Sequence, residues 1–265
     1  MAELYPALEA ALLECDPGRK CELAATLYRQ WQAGALSLHS GAPILAIDDP
    51  GRPREPRLVD PRKLKRRSVA TESGRVVMLH AFAHIEFSAI NIALDAAYRF
   101  RDMPADFTRD WLRVASEEAT HFTLLQQALV ARGCCYGAFP AHRGLWDMVC
   151  KTRHDSLHRM ALVPRVMEAR GLDVTPAMID RFEQVGDTEA VAILQRIYRD
   201  EIGHVRIGNR WYQYLCDRLG VDAQATFRQL LIDYMDSPLR GPFNRAARLE
   251  AGFGESELDA LEQGV

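Results

Sequence analysis

The motif Glu-x-x-His occurs twice, each time inside a segment with the hydrophobic period of a long helix. In SEEATHF, Glu118 precedes His121 by three residues, and in RDEIGHV, Glu201 precedes His204 by the same spacing. Residues three apart share one face of a helix, and here that face is otherwise apolar, so both pairs should point into a core. A buried carboxylate without a partner is costly. The fold must therefore bring a partner to each of these groups.

Four long helical patterns dominate the chain, and no stretch alternates long enough with the period of two that is typical of a strand. The short segment around Pro104 separates the first two patterns, which we expect to be antiparallel neighbours. A short helix is expected after Pro176, within the connector 171–187. We predict an all-α protein with a four-helix core, whose helices cover about 72–100, 105–132, 145–170 and 188–219.

The core patterns divide the chain into three predicted regions. Residues 1–70 hold two helical patterns, about 6–14 and 19–36, and a connector rich in proline. Residues 71–220 form the bundle, and residues 221–265 carry short helices. The connector is basic, but no aromatic residues that could stack on bases are interleaved. A solvated arm pairing with surface acids is favoured over a nucleic-acid contact for its basic run: Arg52, Arg54, Arg57, Arg62, Lys63, Lys65, Arg66 and Arg67.

Composition narrows the classes of protein to consider. A net charge of −3 argues against wholesale binding to nucleic acid or to a membrane surface. Six cysteines without a CxxC motif, and Glu3 and Glu9 where a signal peptide would be basic and then apolar, favour a reduced cytoplasm. Val76–Tyr98 is long enough to span a membrane. It carries polar residues that would be costly in lipid, so we interpret it as the central helix of a soluble bundle.

A single glutamate precedes each motif at nearly the same distance. Glu86 lies 32 residues before Glu118, and Glu168 lies 33 residues before Glu201. The two units together supply four carboxylates and two imidazoles, whose charge balances two divalent cations. Oxygen-rich ligation without thiolate favours iron or manganese over structural zinc. For Glu168, near the end of its helical pattern, a surface glutamate is the alternative.

Several neighbours of these groups have candidate roles. The acids Glu117 and Asp200 could each orient a ligating histidine of the other unit, with Asp200 serving His121 and Glu117 serving His204. Exposed positions beside the core are the alternative. Tyr198, one turn before Glu201, is a candidate redox-active neighbour, although core packing is favoured. Ordinary polar contacts are expected for His80 and His84, which lie off the face of Glu86, and the pattern Asp155-x-x-His158 is interpreted as a solvated or interfacial polar face.

Four segments in order carry a family resemblance: HAFAHIEFSAINIALDAAYRF, SEEATHF, VMEARGLDVTP and RDEIGHVRIGNRWY. Over about residues 70–220 the chain resembles a ferritin-like family of bacterial proteins of unknown function. The wider superfamily includes the ferritin-like tRNA hydroxylase, rubrerythrins and ribonucleotide reductase small subunits. The resemblance implies a ferritin-like four-helix bundle, with an N-terminal helical extension and short C-terminal helices. It also implies six metal ligands: Glu86, Glu118, His121, Glu168, Glu201 and His204.

These observations favour an oxidoreductase with a di-iron or manganese/iron centre. It would activate O₂ or peroxide and oxidise or hydroxylate an unknown small or macromolecular substrate. Two alternatives are an iron-handling protein with ferroxidase activity and a non-catalytic bundle with a vestigial metal site. A tRNA substrate is less favoured. We expect a cytoplasmic protein without a membrane partner, and a homodimer is compatible with the sequence.

Overall fold

The computed structural model describes residues 2–39, 41–64 and 68–264, and almost all of their regular structure is helical. In these ranges the only strands are two residues long, β1 (Ala2–Glu3) and β2 (Leu36–Ser37), which pair in parallel. The all-α class is confirmed. The chain forms two compact units, Met1–Cys150 and Lys151–Val265, here called unit 1 and unit 2.

Unit 1 is built on a long helical hairpin. Helices α3 and α4 pack against one another, and the five residues between them are too few for anything except an antiparallel arrangement. α2 packs on α4, and α1 packs on α3 and α2. The helices of unit 1 are α1 (Leu4–Leu13), α2 (Pro17–Gln32), α3 (Glu72–Arg99), α4 (Ala105–Ala131) and α5 (Gly144–Lys151), the last of which ends at the unit boundary.

Helix α3 is the segment whose length and hydropathy would also suit a membrane span. In its most apolar window, 61% of the residues are buried within the protein, as in the core helix of a folded domain. Its buried polar groups have protein partners, because Asp95 pairs with Arg99 and the Asn91 amide oxygen accepts from Lys20. The threonine hydroxyl of Thr71 caps its first turn by accepting from the Gly74 amide.

Unit 2 is organised around its longest helix, α8, which packs against α6, α7 and the π-helix. Gly220 ends α8 in the left-handed conformation, with φ of 67°. The elements of unit 2 are α6 (Ser156–Leu162), a π-helix (Val163–Glu168), α7 (Ala169–Gln184), α8 (Thr188–Leu219), α9 (Ala223–Tyr234), α10 (Arg245–Glu250) and α11 (Glu255–Glu262).

The third predicted helix, 145–170, is wrong as a continuous element. The chain leaves the helix after Lys151, and α6 begins at Ser156. Asp155 causes the new start, because its side chain accepts hydrogen bonds from the backbone amides of Leu157 and His158 and so caps α6. The Asp155-x-x-His158 pattern therefore reflects a helix cap. The His158 ring forms a hydrogen bond with the Tyr234 hydroxyl and not with Asp155.

The helix expected after Pro176 is present, but the predicted connector 171–187 is wrong about its start, since α7 begins at Ala169 and includes Pro176. A proline inside a helix has no amide hydrogen and leaves the carbonyl four residues earlier without its helical donor. That carbonyl belongs to Leu172, and it accepts a hydrogen bond from Asn244 Nδ2 at 3.2 Å. A side chain far along the sequence thus allows the helix to continue.

The basic connector is partly described. Gly51 lies so close to the end of α1 that a Cβ there would be 2.2 Å from the Leu13 carbonyl. Arg62 pairs with Asp60 beside a short 3₁₀ turn, Pro61–Lys63, which fits the expected solvated arm at that position. The predicted basic residues Lys65, Arg66 and Arg67 lie outside the described residues.

Candidate metal centre

Three of the predicted ligands meet in the interior of unit 1. Glu86 on α3 lies beside Glu118 and His121 on α4, and all three side chains are buried. His121 Nδ1 is 3.1 Å from Glu86 Oε2 and 3.2 Å from Glu118 Oε2. One ligand atom from each residue lies within 4.8 Å of those of the other two. We call these three residues the unit 1 triad.

The hairpin geometry explains why these residues meet. Glu86 lies 16 residues before Asp102 in the turn, and Glu118 lies 16 residues after it. Both helices rise equally per residue, so residues at equal distances from the turn of an antiparallel pair lie at the same level. His121 follows on the same face of α4 as Glu118. Spacing from the turn is thus the sequence signal for the triad.

The donor set of the unit 1 triad fits a divalent cation. When two ligand atoms each bond the same ion at about 2.1 Å and the angle at the ion is a right angle, the two atoms lie about 3 Å apart. The two distances from His121 Nδ1 match that separation. Two carboxylates and one imidazole without thiolate are typical ligands of iron and manganese.

The electrostatics of the unit 1 triad favour a cation as well. Burial raises the pKa of Glu86 well above its ordinary value, and the adjacent Glu118 carboxylate raises it further. Hydrogen bonding to His121 acts in the opposite direction. Two carboxylates held together in a buried site disfavour each other's charged form, and a bound cation would relieve that repulsion.

Unit 2 carries the other three predicted ligands. Glu201 and His204 share a face of α8, with His204 Nδ1 3.7 Å from Glu201 Oε2, and His204 is fully buried. Glu168 is the last residue of the π-helix, which packs on α8. Glu168 lies 17 residues before Val185 in the α7–α8 turn and Glu201 lies 16 after it, so the hairpin repeats the spacing of unit 1. Metal ligation by all six residues stays a prediction.

The predicted orienting acids each have an arginine partner on their own helix. Glu117 Oε1 accepts from Arg113 Nε at 2.8 Å, and Asp200 Oδ2 accepts from Arg196 Nε at 2.5 Å. Each arginine lies four residues before its acid. The sequence pattern shared by the two helices is therefore longer than the Glu-x-x-His motif, and it starts with an arginine. Sequence reasoning missed this extension, although the spacing would have shown it. The pairing of each acid with a histidine of the other unit stays a prediction.

The loop after α4 covers the histidines of α3. His84 Nδ1 is 2.9 Å from the Tyr136 hydroxyl and His84 Nε2 is 2.9 Å from the His142 carbonyl, while His80 Nε2 accepts from the Gly137 amide. A carbonyl can only accept, so His84 donates from Nε2 and accepts from Tyr136 at Nδ1. The polar contacts expected for His80 and His84 are therefore present. Burial lowers the pKa of His80 to about 4, which keeps this ring neutral.

Tyr198 is half-buried, and its hydroxyl accepts a hydrogen bond from Asn244 Nδ2 at 2.9 Å. Burial raises its pKa. Asn244 is the residue that also serves the carbonyl of Leu172 in α7. The hydroxyl thus joins α8 to the start of α10, and a redox role for Tyr198 stays a prediction.

Gly208 permits the π-helix to lie against α8. A Cβ at this position would be 2.3 Å from Pro164 Cβ, so Gly208→Ala is expected to lower the free energy of unfolding by about 1–3 kcal/mol. Gly203→Ala is the matched control on the same helix, since a Cβ there meets nothing within 4 Å, and it should be neutral or stabilising by up to about 1 kcal/mol. Urea unfolding of both variants measures the difference. Equal stability of the two would refute the close-contact role of Gly208.

Comparison with known proteins identifies a family and a relative. The model of the family described as "Protein of unknown function (DUF455)" matches residues 13–259. An "Uncharacterized protein" of Haemophilus influenzae is 45% identical over 269 residues, covering 98% of this chain and 93% of the relative. No solved structure matches the chain significantly. The family match and the relative both extend over nearly the whole chain, and the chain therefore belongs to the DUF455 family.

Proposed function

We propose that this protein is an oxidoreductase with a dinuclear iron or manganese/iron centre in a ferritin-like bundle. It uses O₂ or peroxide to oxidise or hydroxylate an organic substrate. The observation that carries the proposal is the unit 1 triad, Glu86, Glu118 and His121, in which three donor atoms of the right chemistry are buried together.

The repeat in unit 2 supports two metal ions instead of one. Glu168, Glu201 and His204 reproduce the residue types and the spacing of the unit 1 triad. The proposal joins the two sets into one centre of four carboxylates and two imidazoles, which is the ligand set of di-iron carboxylate bundles. Four carboxylates neutralise two divalent cations, so the complete centre carries no net charge that would have to be solvated.

The surroundings of the unit 1 triad suit redox chemistry. Two divalent ions in such a ligand set supply paired sites for binding and reducing O₂ or peroxide. All three side chains of the triad are buried, which keeps bulk water away from them and strengthens the electrostatic interactions among them. In the centre, His121 and His204 would act through neutral imidazole nitrogens and the four glutamates as carboxylates.

Metal analysis under anaerobic conditions tests the proposal. Purified wild-type protein incubated with Fe(II), or with Mn(II) and Fe(II), and then desalted should retain two ions per chain. The double variant Glu118→Ala/Glu201→Ala removes one carboxylate from each unit and should weaken retention more than about 100-fold, since loss of an outer partner alone costs 10–100-fold. The matched control Glu22→Ala/Glu183→Ala removes one exposed glutamate from each unit and should bind like wild type.

The outcomes separate the alternatives. Full occupancy in Glu118→Ala/Glu201→Ala, or no retained metal in wild type, would refute the dinuclear centre. With metal bound, addition of O₂ or peroxide should change the electronic absorption spectrum. One equivalent of a two-electron reductant should restore the original spectrum, and the cycle should be repeatable. Progressive accumulation of oxidised iron far above two ions per chain would instead indicate an iron-handling protein and refute the oxidase assignment.

A further inference from the structure

A cavity of about 700 Å³ lies within unit 2, and its walls are rich in arginine. That volume falls in the range of sites for small molecules. The cavity lies beside the part of α8 that follows the predicted metal ligands, and three guanidinium groups line it: Arg165, Arg206 and Arg210. We call it the arginine cavity.

The deepest of these guanidinium groups is held in place by its surroundings. Arg165 is buried, lies 4.2 Å from the ring centroid of Tyr212 and 4.3 Å from that of Phe227, and forms an ion pair with Glu257. A guanidinium stacked on aromatic faces is fixed in orientation. Arg206 and Arg210 are exposed at the cavity, and Arg210 stacks on Trp211. The three groups give the arginine cavity a side rich in N–H donors.

The acidic residues at the cavity have partners already. Glu257 pairs with Arg165, and Asp222 accepts a hydrogen bond from the Ala225 amide as the cap of α9. Arg206 is also paired, because its Nη2 lies 3.3 Å from Glu250 Oε1 and its Nε donates to the Glu250 carbonyl at 3.0 Å. Arg165 Nε, by contrast, is buried and donates no hydrogen bond to the described residues. An anion in the cavity would offer an acceptor to this donor, and carboxylates that are already hydrogen-bonded repel the anion less.

Two further features of the wall favour a ligand. The first turn of α9 at Ala223 and Gln224, and Gly254 at the start of α11, line the arginine cavity, so the N-termini of two helices lie at its wall. Asn209 also lines it and is 6% exposed. Its Nδ2 donates to the Ala251 carbonyl, whereas Oδ1 accepts no hydrogen bond from the described residues. The wall thus holds a buried amide with an unused acceptor.

We propose that the arginine cavity binds a phosphate group, either as free phosphate or as the monoester of a small hydroxylated molecule. Guanidinium groups match the oxygens of phosphate in bidentate fashion, and helix N-termini add backbone donors. The cavity volume is large enough for a sugar phosphate. A hydroxyl group of such a molecule would donate a hydrogen bond to Asn209 Oδ1. This site is independent of the metal centre.

Calorimetric titration at constant ionic strength tests the site with three probes: inorganic phosphate, ribose 5-phosphate and citrate. Both phosphate probes, or ribose 5-phosphate alone, should bind wild-type protein more tightly than citrate. The double variant Arg206→Gln/Arg210→Gln should bind about tenfold more weakly or worse, because each lost charged hydrogen bond is worth about 1.5–3 kcal/mol. Arg199→Gln, an exposed arginine of α8 outside the cavity lining, is the control and should bind like wild type.

The comparison of probes identifies the source of the phosphate. Equal affinity for inorganic phosphate and ribose 5-phosphate would assign the site to free phosphate, and tighter binding of the ester would assign it to an organic phosphate. No heat of binding with either phosphate probe would overturn the proposal. Equal weakening in Arg199→Gln and in Arg206→Gln/Arg210→Gln, or citrate binding as tightly as both phosphates, would overturn it too. All variants change exposed side chains, and their unfolding temperatures without ligand verify that they fold.

Discussion

The variant Arg248→Met is expected to lower the free energy of unfolding by about 3–5 kcal/mol. Arg248 lies on α10 and is 1% exposed, and its guanidinium contacts Asp173 on α7 through two hydrogen bonds of 2.9 and 2.8 Å. Methionine fills a similar volume but removes the buried counter-charge of Asp173, which keeps only the exposed Arg170 at 3.5 Å and the Asn244 amide. A buried charge that loses its main partner is among the largest single destabilising effects in a folded protein.

The structure supplies a control at the same carboxylate. Arg170 is 3.5 Å from Asp173, but 46% of its side chain is exposed, so Arg170→Met should cost less than about 1 kcal/mol. Urea unfolding of wild type, Arg248→Met and Arg170→Met compares the two arginines directly. Similar losses in both variants would show that burial of the Arg248–Asp173 pair does not decide its contribution.

A double variant separates loss of the pair from loss of packing. Arg248→Met/Asp173→Leu removes both charges, and apolar replacement of a whole buried ion pair is often neutral. We expect it to be more stable than Arg248→Met by at least about 1 kcal/mol, and the double-mutant cycle gives the coupling energy. A double variant that is less stable than Arg248→Met would contradict a dominant charge effect.

The second large effect is a pH dependence that originates from Lys20. This residue is fully buried in unit 1, and its Nζ donates to the carbonyls of Ala11 and Leu12 at 2.9 Å and to Asn91 Oδ1 at 2.6 Å. It therefore caps the end of α1 and ties it to α3. Burial lowers its pKa from 10.5 to about 7.

The sign of the effect follows from proton linkage. Between about pH 7 and 10.5 the unfolded chain binds a proton at Lys20 that the folded chain does not bind. The contribution of Lys20 to the free energy of unfolding therefore increases with pH in that window, by at most about 1.4 kcal/mol per pH unit. Below about pH 7 both states are protonated and the dependence disappears.

Comparison with Lys20→Met isolates this dependence. Subtracting the unfolding free energy of Lys20→Met from that of wild type cancels the other titrating groups, and the difference should grow from pH 7 to 9 by about 2–3 kcal/mol. Lys63→Met removes an exposed lysine and should give a difference that is constant with pH. A constant difference for Lys20→Met as well would show that burial does not lower the pKa of Lys20.

The long helices and the unit 1 triad could be predicted from the sequence because their determinants are local. Hydrophobic period and caps define α3, α4 and α8 to within one residue of the predicted ends. With Pro104 in the turn between α3 and α4, hairpin geometry then places Glu86 and Glu118 at one level. The spacing of side chains along the two helices is sufficient to predict that these residues meet, so the candidate ligands of unit 1 could be predicted without knowing any distant contact.

The third predicted helix and the connector after it were predicted wrongly where local preferences compete. From the sequence, Asp155 is compatible with an acid on a helix surface and with a helix cap. In the structure its side chain accepts hydrogen bonds from the first amides of α6, so it is a cap. Pro176 predicts a helix end, yet α7 continues because Asn244 supplies the missing donor to Leu172. Competing local preferences of this kind are decided by whichever tertiary contact satisfies the buried polar groups.

The sequence by itself determined the all-α class, the long helices and the residue types that could hold metal, since all three depend on periodicity and spacing along the chain. Only the tertiary structure decided which polar groups are held by remote partners. Asp173, predicted merely as part of a family motif, holds Arg248 of α10, and Lys20 holds α1 and α3 together. The arginine cavity has the same origin, because its walls come from the π-helix, α8, α9 and α11, whose residues no local pattern relates to one another.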